Sequence, residues 1–328
     1  MATETKEDPF DGFQSLIEDL TSRLLPRASL RMGIDQKDLR RRLDLRIESS
    51  TEINASVEIV EGGEHIVVVV NDALMLFYHK MLKVYVSSLG VEDNEKNEIE
   101  NPTMSFDKIV KACKDLIDGF WNGKLLTTQG FRLEELSFAQ SAILERLLRS
   151  CECFDVAHEL GHAVIIISND EVEEYEFAKS IVIDFLCNMV SMNETERNEM
   201  IEPWTEEICA DLIGLDISLS QENVGPYLNW PNYKQWLCGG AEISHLLNMM
   251  LREYYDRMNL GSNILLTSTH PYDYLRWKAL STCPTKASIS DRLKYGQRFG
   301  AFSLQVLNEL FIKNSDGGYT SNKQYFQK

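Results

Sequence analysis

Two histidines bracketing a glutamate, His158-Glu159-Leu160-Gly161-His162, are the residues of this chain whose types and spacing best suit chemistry. On an α-helix, positions four apart lie about 40° apart around the axis and one turn along it, so both imidazoles point the same way. Two imidazole nitrogens on one face can share a tetrahedral metal, and zinc favours such ligands. Glu159 then reaches a water on the metal rather than the metal itself, which makes it a general base. With six histidines and 31 glutamates in 328 residues, the pattern arises by chance about once per hundred such chains. Apolar Val156-Ala157 and Ala163–Ile167 flank it, so the helix is expected to be buried. Two histidines and a glutamate inside a buried helix need a reason.

The third ligand decides the class of site. Position 168 is Ser, not a third histidine, and Ile181-Val182-Ile183 offers no acid. The next acidic helix is Trp204-Thr205-Glu206-Glu207-Ile208-Cys209-Ala210-Asp211, where Glu207 and Asp211 share a face. Glu207 completes the metal triad, with Glu206 as the backup. Asp211, one turn on, accepts the outer N–H of a ligand imidazole and so fixes its tautomer and direction. His245, His65 and His79 have no partner at metal spacing and read as ordinary residues. Cys151-x-Cys153 has the wrong spacing for a zinc pair and no second cysteine pair to join it.

His158–His162 followed by Glu207-x-x-Ala210-Asp211 resembles the gluzincin metallopeptidases of the HtpX and CAAX-prenyl-protease kind. Ser268-Thr269-His270-Pro271 with Arg276 resembles that family's Ser-Thr-His-Pro…Arg segment. Asn54-Ala55, Gly62-Gly63 and Ile66-Val67-Val68 resemble its Asn-Ala…Gly-Gly hairpin. Phage-exclusion peptidases of the Lit kind share the His-Glu-x-x-His arrangement and a comparable size. The resemblance implies a gluzincin core in a minimal member without a membrane span. It implies an oxyanion donor near His270, with Tyr272 and Tyr274 as alternatives, and Arg276 as the lock on an acid such as Asp211. The expected activity is a zinc endopeptidase. Zn²⁺ on His158, His162 and Glu207 activates a water, and Glu159 takes its proton. Two rivals stand beside it: an interaction module with structural zinc, and a zinc hydrolase of a non-peptide amide.

The elements that must position these residues read as α+β and mostly helical. Ile53–Val60 and His65–Val70, rich in β-branched residues around Glu61-Gly62-Gly63-Glu64, predict a β-hairpin and a small antiparallel sheet over 53–70. The hairpin is expected to give an edge strand for an extended peptide. Helices are expected over Asp11–Leu25, stopped by Pro26, and from Asn71 or Asp72 to Gly90. Others follow over Ser137–Ser168 with a break near Ser150–Cys153, then Glu171–Val190, Thr205–Leu219, Ala241–Met258 and Leu293–Phe311. Basic Lys37–Arg46 reads as a solvated face, Val91–Asn101 as a surface linker, and Asn314–Lys328 as a mobile tail. The expected organisation is a helical extension over 1–44 and a catalytic domain over 45–282, with insertions near 91–149 and 221–262. A C-terminal extension covers 283–328.

Composition sets the outer bounds. The net charge of −18 discourages nucleic acid and anionic membranes as partners. The longest uninterrupted apolar run, Ala73–Tyr78, is far shorter than the ~20 residues a membrane helix needs. Seven scattered cysteines and a polar Met1–Pro9 suggest a reducing cytoplasm rather than secretion. A protein or peptide substrate is the expected partner. A cytoplasmic protease also needs restraint by narrow specificity, an inhibitory segment or a regulatory protein.

Overall fold

The computed structural model describes residues 9–50, 55–60, 64–93, 98–100, 102–122, 135–168, 172–189, 193–220, 233–258, 271–282, 289–315 and 318–326. The described chain is mostly helical with a small sheet. In order it runs α1 (Pro9–Met32), α2 (Gln36–Arg42), β1 (Leu43–Glu48), β2 (Ala55–Val60), β3 (His65–Asn71), α3 (Asp72–Ser87), β4 (Val91–Asp93) and β5 (Glu98–Glu100). Then come α4 (Phe106–Trp121), α5 (Phe138–Ile167), α6 (Glu173–Cys187), α7 (Glu194–Leu219), α8 (Tyr233–Arg257), α9 (Asp273–Thr282) and α10 (Ile289–Leu310). The chain ends with β6 (Phe311–Lys313), β7 (Tyr319–Ser321) and α11 (Lys323–Phe326).

The expected hairpin is present: β2 pairs antiparallel with β3, Ala55 opposite Val70 and Val60 opposite His65. The sheet is mixed rather than antiparallel, because β1 lies parallel to β3 on its other side, giving the order β1-β3-β2. β1 sits inside the basic stretch read as a solvated face. Leu43, Leu45 and Ile47 alternate with exposed Asp44, Arg46 and Glu48, a period of two that buries one side. The basic side chains behave as expected, Arg41 pairing with Asp38 and Arg46 with Asp44 at 2.5 Å.

Three helices run further than their breakers predict. α1 continues through Pro26 to Met32, and α7 begins at Glu194, nine residues before Pro203. Proline inside a helix costs ~3 kcal/mol. For α1, burial of Leu20, Leu24, Leu25, Ala28 and Met32 on both sides of Pro26 outweighs that cost. α5 is one unbroken 30-residue helix, capped at Ser137 by a reciprocal pair with Gln140. Its expected break is absent: Leu147, Cys151, Cys153 and Phe154 are buried along this turn, and the Ser150 hydroxyl is satisfied within the helix by donating to Arg146 O at 2.7 Å. The expected insertion boundary at 149 therefore falls inside a continuous helix. The linker over 91–101 contains the paired strands β4 and β5. The tail is also structured: β6 pairs with β7, and Tyr325 donates to Asp107 Oδ1 at 3.0 Å. One hydrophobic core runs from Leu20 of α1 to Phe299, Phe302 and Phe311, so both terminal extensions share it.

α5 is the central rod, packing on α7, α8, α3, α1 and the β2–β3 face. Its contact with α7 is unusually close. A Cβ on Gly161 would lie 2.5 Å from Ala210 O, and one on Gly214 would lie 2.8 Å from His158 N. In both cases the added carbon would meet the backbone of the facing helix, which no side-chain rotation relieves. Gly161→Ala and Gly214→Ala are therefore expected to destabilise the fold by about 1–3 kcal/mol despite the better helix propensity of alanine. Gly300→Ala, whose Cβ would meet only Leu246 methyl groups at 3.6 and 3.8 Å, should be neutral or stabilising. Urea unfolding of the three variants checks this ranking.

Candidate metal centre

The α5–α7 crossing brings the five-residue cluster of α5 against the acids of α7. His158 Nε2 and His162 Nε2 stand 3.2 Å apart. Glu207 Oε2 lies 3.7 Å from His158 Nε2, and Glu207 Oε1 lies 3.5 Å from His162 Nε2. Among the described residues these three form the one group able to hold a metal ion. Zinc bonds of about 2.0–2.1 Å in tetrahedral array put neighbouring ligand atoms about 3.3–3.4 Å apart. The closest approaches are 3.2, 3.5 and 3.7 Å, the two to Glu207 being made by different carboxylate oxygens. They lie near that value, so the donor set fits the ion in chemistry and in approximate spacing.

The support behind the ligands is equally defined. Asp211 Oδ1 lies 2.9 Å from His158 Nδ1. With its Nδ1–H given to Asp211, His158 presents a lone pair at Nε2, the form that binds metal. Arg276 grips Asp211 with two donors, Nε to Oδ2 and Nη2 to Oδ1, each at 2.7 Å. Arg276 Nη1 also lies 3.4 Å from Glu207 Oε2. Helix α9 delivers the arginine and is itself anchored to α8 by Asp273–Arg252 at 3.1 Å. Asp211 is fully buried. Burial alone would raise its carboxyl, but Arg276 and His245 outweigh this and hold it well below the usual carboxylate range.

Electrostatics separates the two histidines. Burial lowers His158 to about 4, against the pull of Asp211, so it is neutral at ordinary pH. Burial also opposes charge on His162, but Glu206, Glu207 and Glu159 together raise it above its ordinary value. Burial pushes the Glu159 carboxyl up to about 7, with His162 opposing and Glu207 adding to the rise. That value suits proton transfer near neutral pH.

Six of the seven expected site residues fall in this arrangement: His158, His162 and Glu207 at the ligand atoms, Glu159 beside them, Asp211 and Arg276 behind. The seventh, His270, lies outside the described residues, as do Asn54 and Gly62-Gly63 of the family-like hairpin and both ends, 221–232 and 259–262, of the expected 221–262 insertion, whose middle is α8. Tyr272 packs its ring against Phe185 and Trp204, and Tyr274 is half exposed against Trp277. Glu206 takes a different place from its backup role, facing His162 Nδ1 at 3.7 Å. Two neighbours escaped sequence reasoning. His245, read as an ordinary helix residue, lies 3.5 Å from Asp211. Asp155, one turn before Glu159, is held high by burial and meets Tyr78 and Ser244. Its spacing from Glu159 was the available signal. No protein-family model, curated protein or solved structure matches this chain.

His158→Ala, His162→Ala and Glu207→Ala should each strip most zinc from the purified protein, while Glu206→Ala should keep it. Elemental analysis of the four variants reads this directly. The pH dependence follows from the split between the histidines. Zinc must displace a proton from His162 but none from His158 above about pH 5. Apparent affinity should therefore fall as pH drops below His162's raised value, by about tenfold per pH unit for one proton. Glu159, at about 7, adds a second proton where bound zinc ionises it. Chelator competition across pH 5–8 gives the slope, and a slope near three protons would contradict the low value of His158.

Proposed function

We propose that the chain is a zinc-dependent endopeptidase with a gluzincin-like core. The observation that carries this reading is the convergence of His158 Nε2, His162 Nε2 and the Glu207 carboxylate, with closest approaches of 3.2–3.7 Å, and Glu159 adjacent. Zinc, when bound, supplies Lewis-acid polarisation of a water and of the scissile carbonyl. The chain's own residues do the rest. The Glu159 carboxylate takes a proton from the attacking water and passes it to the leaving amine nitrogen. Asp211 holds the Nδ1–H of His158, and Arg276 holds Asp211. By the family resemblance the oxyanion donor would be His270, with Tyr272 and Tyr274 as alternatives.

A peptide substrate is favoured over a small amide by the sheet. β2 is an edge strand, packed on the same helix that carries Glu159. An extended peptide can pair with such an edge through its backbone. A purely structural zinc would leave Glu159, a buried acid beside two ligands, without a task. No disulfide joins the six described cysteines, and five of them are buried, which fits a reducing compartment such as the cytoplasm. Among the described residues no helix is long and apolar enough to cross a membrane.

Glu159→Gln should keep the fold and the zinc yet lower turnover by about 10²–10⁴-fold or more, since it removes only the proton acceptor. N-terminus mapping of cells expressing wild type or this variant should show new termini with wild type alone. Near-equal cleavage by both proteins would overturn the peptidase reading.

A further inference from the structure

A buried carboxylate needs each of its lone-pair sites answered. Arg276 and His158 answer three of those on Asp211. A fourth neighbour comes from α8: His245 Nε2 lies 3.5 Å from Asp211 Oδ2. His245 is 2% exposed, so no bulk water competes for it. Its ring stands edge-on to Phe154 with centroids 5.5 Å apart. Phe154 is one turn before His158, with ring centroids 6.3 Å apart. His245 thus touches both supports of a ligand imidazole, the carboxylate that accepts its proton and the ring beside it. At 3.5 Å a small rotation of the His245 ring closes a hydrogen bond to Oδ2.

We propose that His245 is a positioning residue of the metal centre. Donation from its Nε2 holds the Asp211 carboxylate in one plane, so that Oδ1 stays on the Nδ1–H of His158. The inference rests on reading His158, His162 and Glu207 as that centre. It adds a third helix, α8, to the two that carry ligands, and it explains a buried histidine that a core position does not require. A merely space-filling histidine would be replaced equally well by any residue of similar polarity and size.

Two amides separate these cases in the full-length chain. His245→Gln places an amide donor near the Nε2 position, whereas the amide of His245→Asn ends near Nδ1, too short to reach Asp211. Zinc affinity by chelator competition should stay near wild type in His245→Gln and weaken about tenfold in His245→Asn, the lower end of what losing an outer partner costs. The metal-free protein gives an independent reading. The His158 Nδ1–H proton signal in NMR should persist in His245→Gln and broaden or vanish in His245→Asn. Equal affinities and equal signals in the two variants would overturn the proposal, as would a His245→Gln that folds but loses the His158 signal. If wild type takes up no zinc, the metal reading fails, and the metal-free signals alone still decide whether His245 holds Asp211.

Discussion

Everything at the candidate site depends on two helix backbones touching. Gly161 against Ala210 and Gly214 against His158 bring α5 and α7 closer than side chains allow. Glutamate and aspartate are short relative to an ordinary helix–helix separation of 8–10 Å. At the closer spacing Glu207 reaches both imidazoles and Asp211 reaches the far nitrogen of His158. Gly161 lies inside the His-Glu-x-x-His segment and so serves packing rather than chemistry.

Close approach creates an electrostatic problem that the neighbouring helices answer. Glu207 and Asp211 bring two negative charges into a nearly dry crossing, and Arg276 from α9 returns one positive charge. Stripping Arg276 would strand a buried carboxylate, a change that typically costs about 3–5 kcal/mol. With Glu159 protonated and both histidines neutral, Glu207, Asp211 and Arg276 leave the metal-free cluster one net negative charge. A dication turns that to one positive, and ionised Glu159 restores neutrality. On the proposed reading, a bound dication would favour the ionised form of Glu159, which burial holds at about 7 without metal.

Much of this was legible before the structure. The His158–His162 pattern, the Glu207–Asp211 spacing and the hairpin strands each follow from a local period, and local periods survive folding. The failures come where tertiary contact overrides a local rule. Pro26 and Pro203 break helices only when nothing outweighs the lost hydrogen bond, and buried leucines of α1 do so around Pro26. Ser150 reads as a breaker until its hydroxyl bonds back to the helix. β1 alternates plainly at Leu43, Leu45 and Ile47, but the surrounding arginines masked it. His245 was invisible for a different reason: its partner Asp211 is on another helix, and no motif or spacing in the sequence links the two.

The central claim is that α5 and α7 together hold one zinc through two imidazoles and a carboxylate. X-ray absorption at the zinc edge tests it most directly, because it reads ligand type and distance without a substrate. The account predicts one zinc per chain, with a first shell of nitrogen and oxygen at about 2.0–2.1 Å, two imidazole scattering patterns and no sulphur. A shell containing sulphur at about 2.3 Å would move the metal to the cysteines, and a protein that takes up no zinc would contradict the account outright.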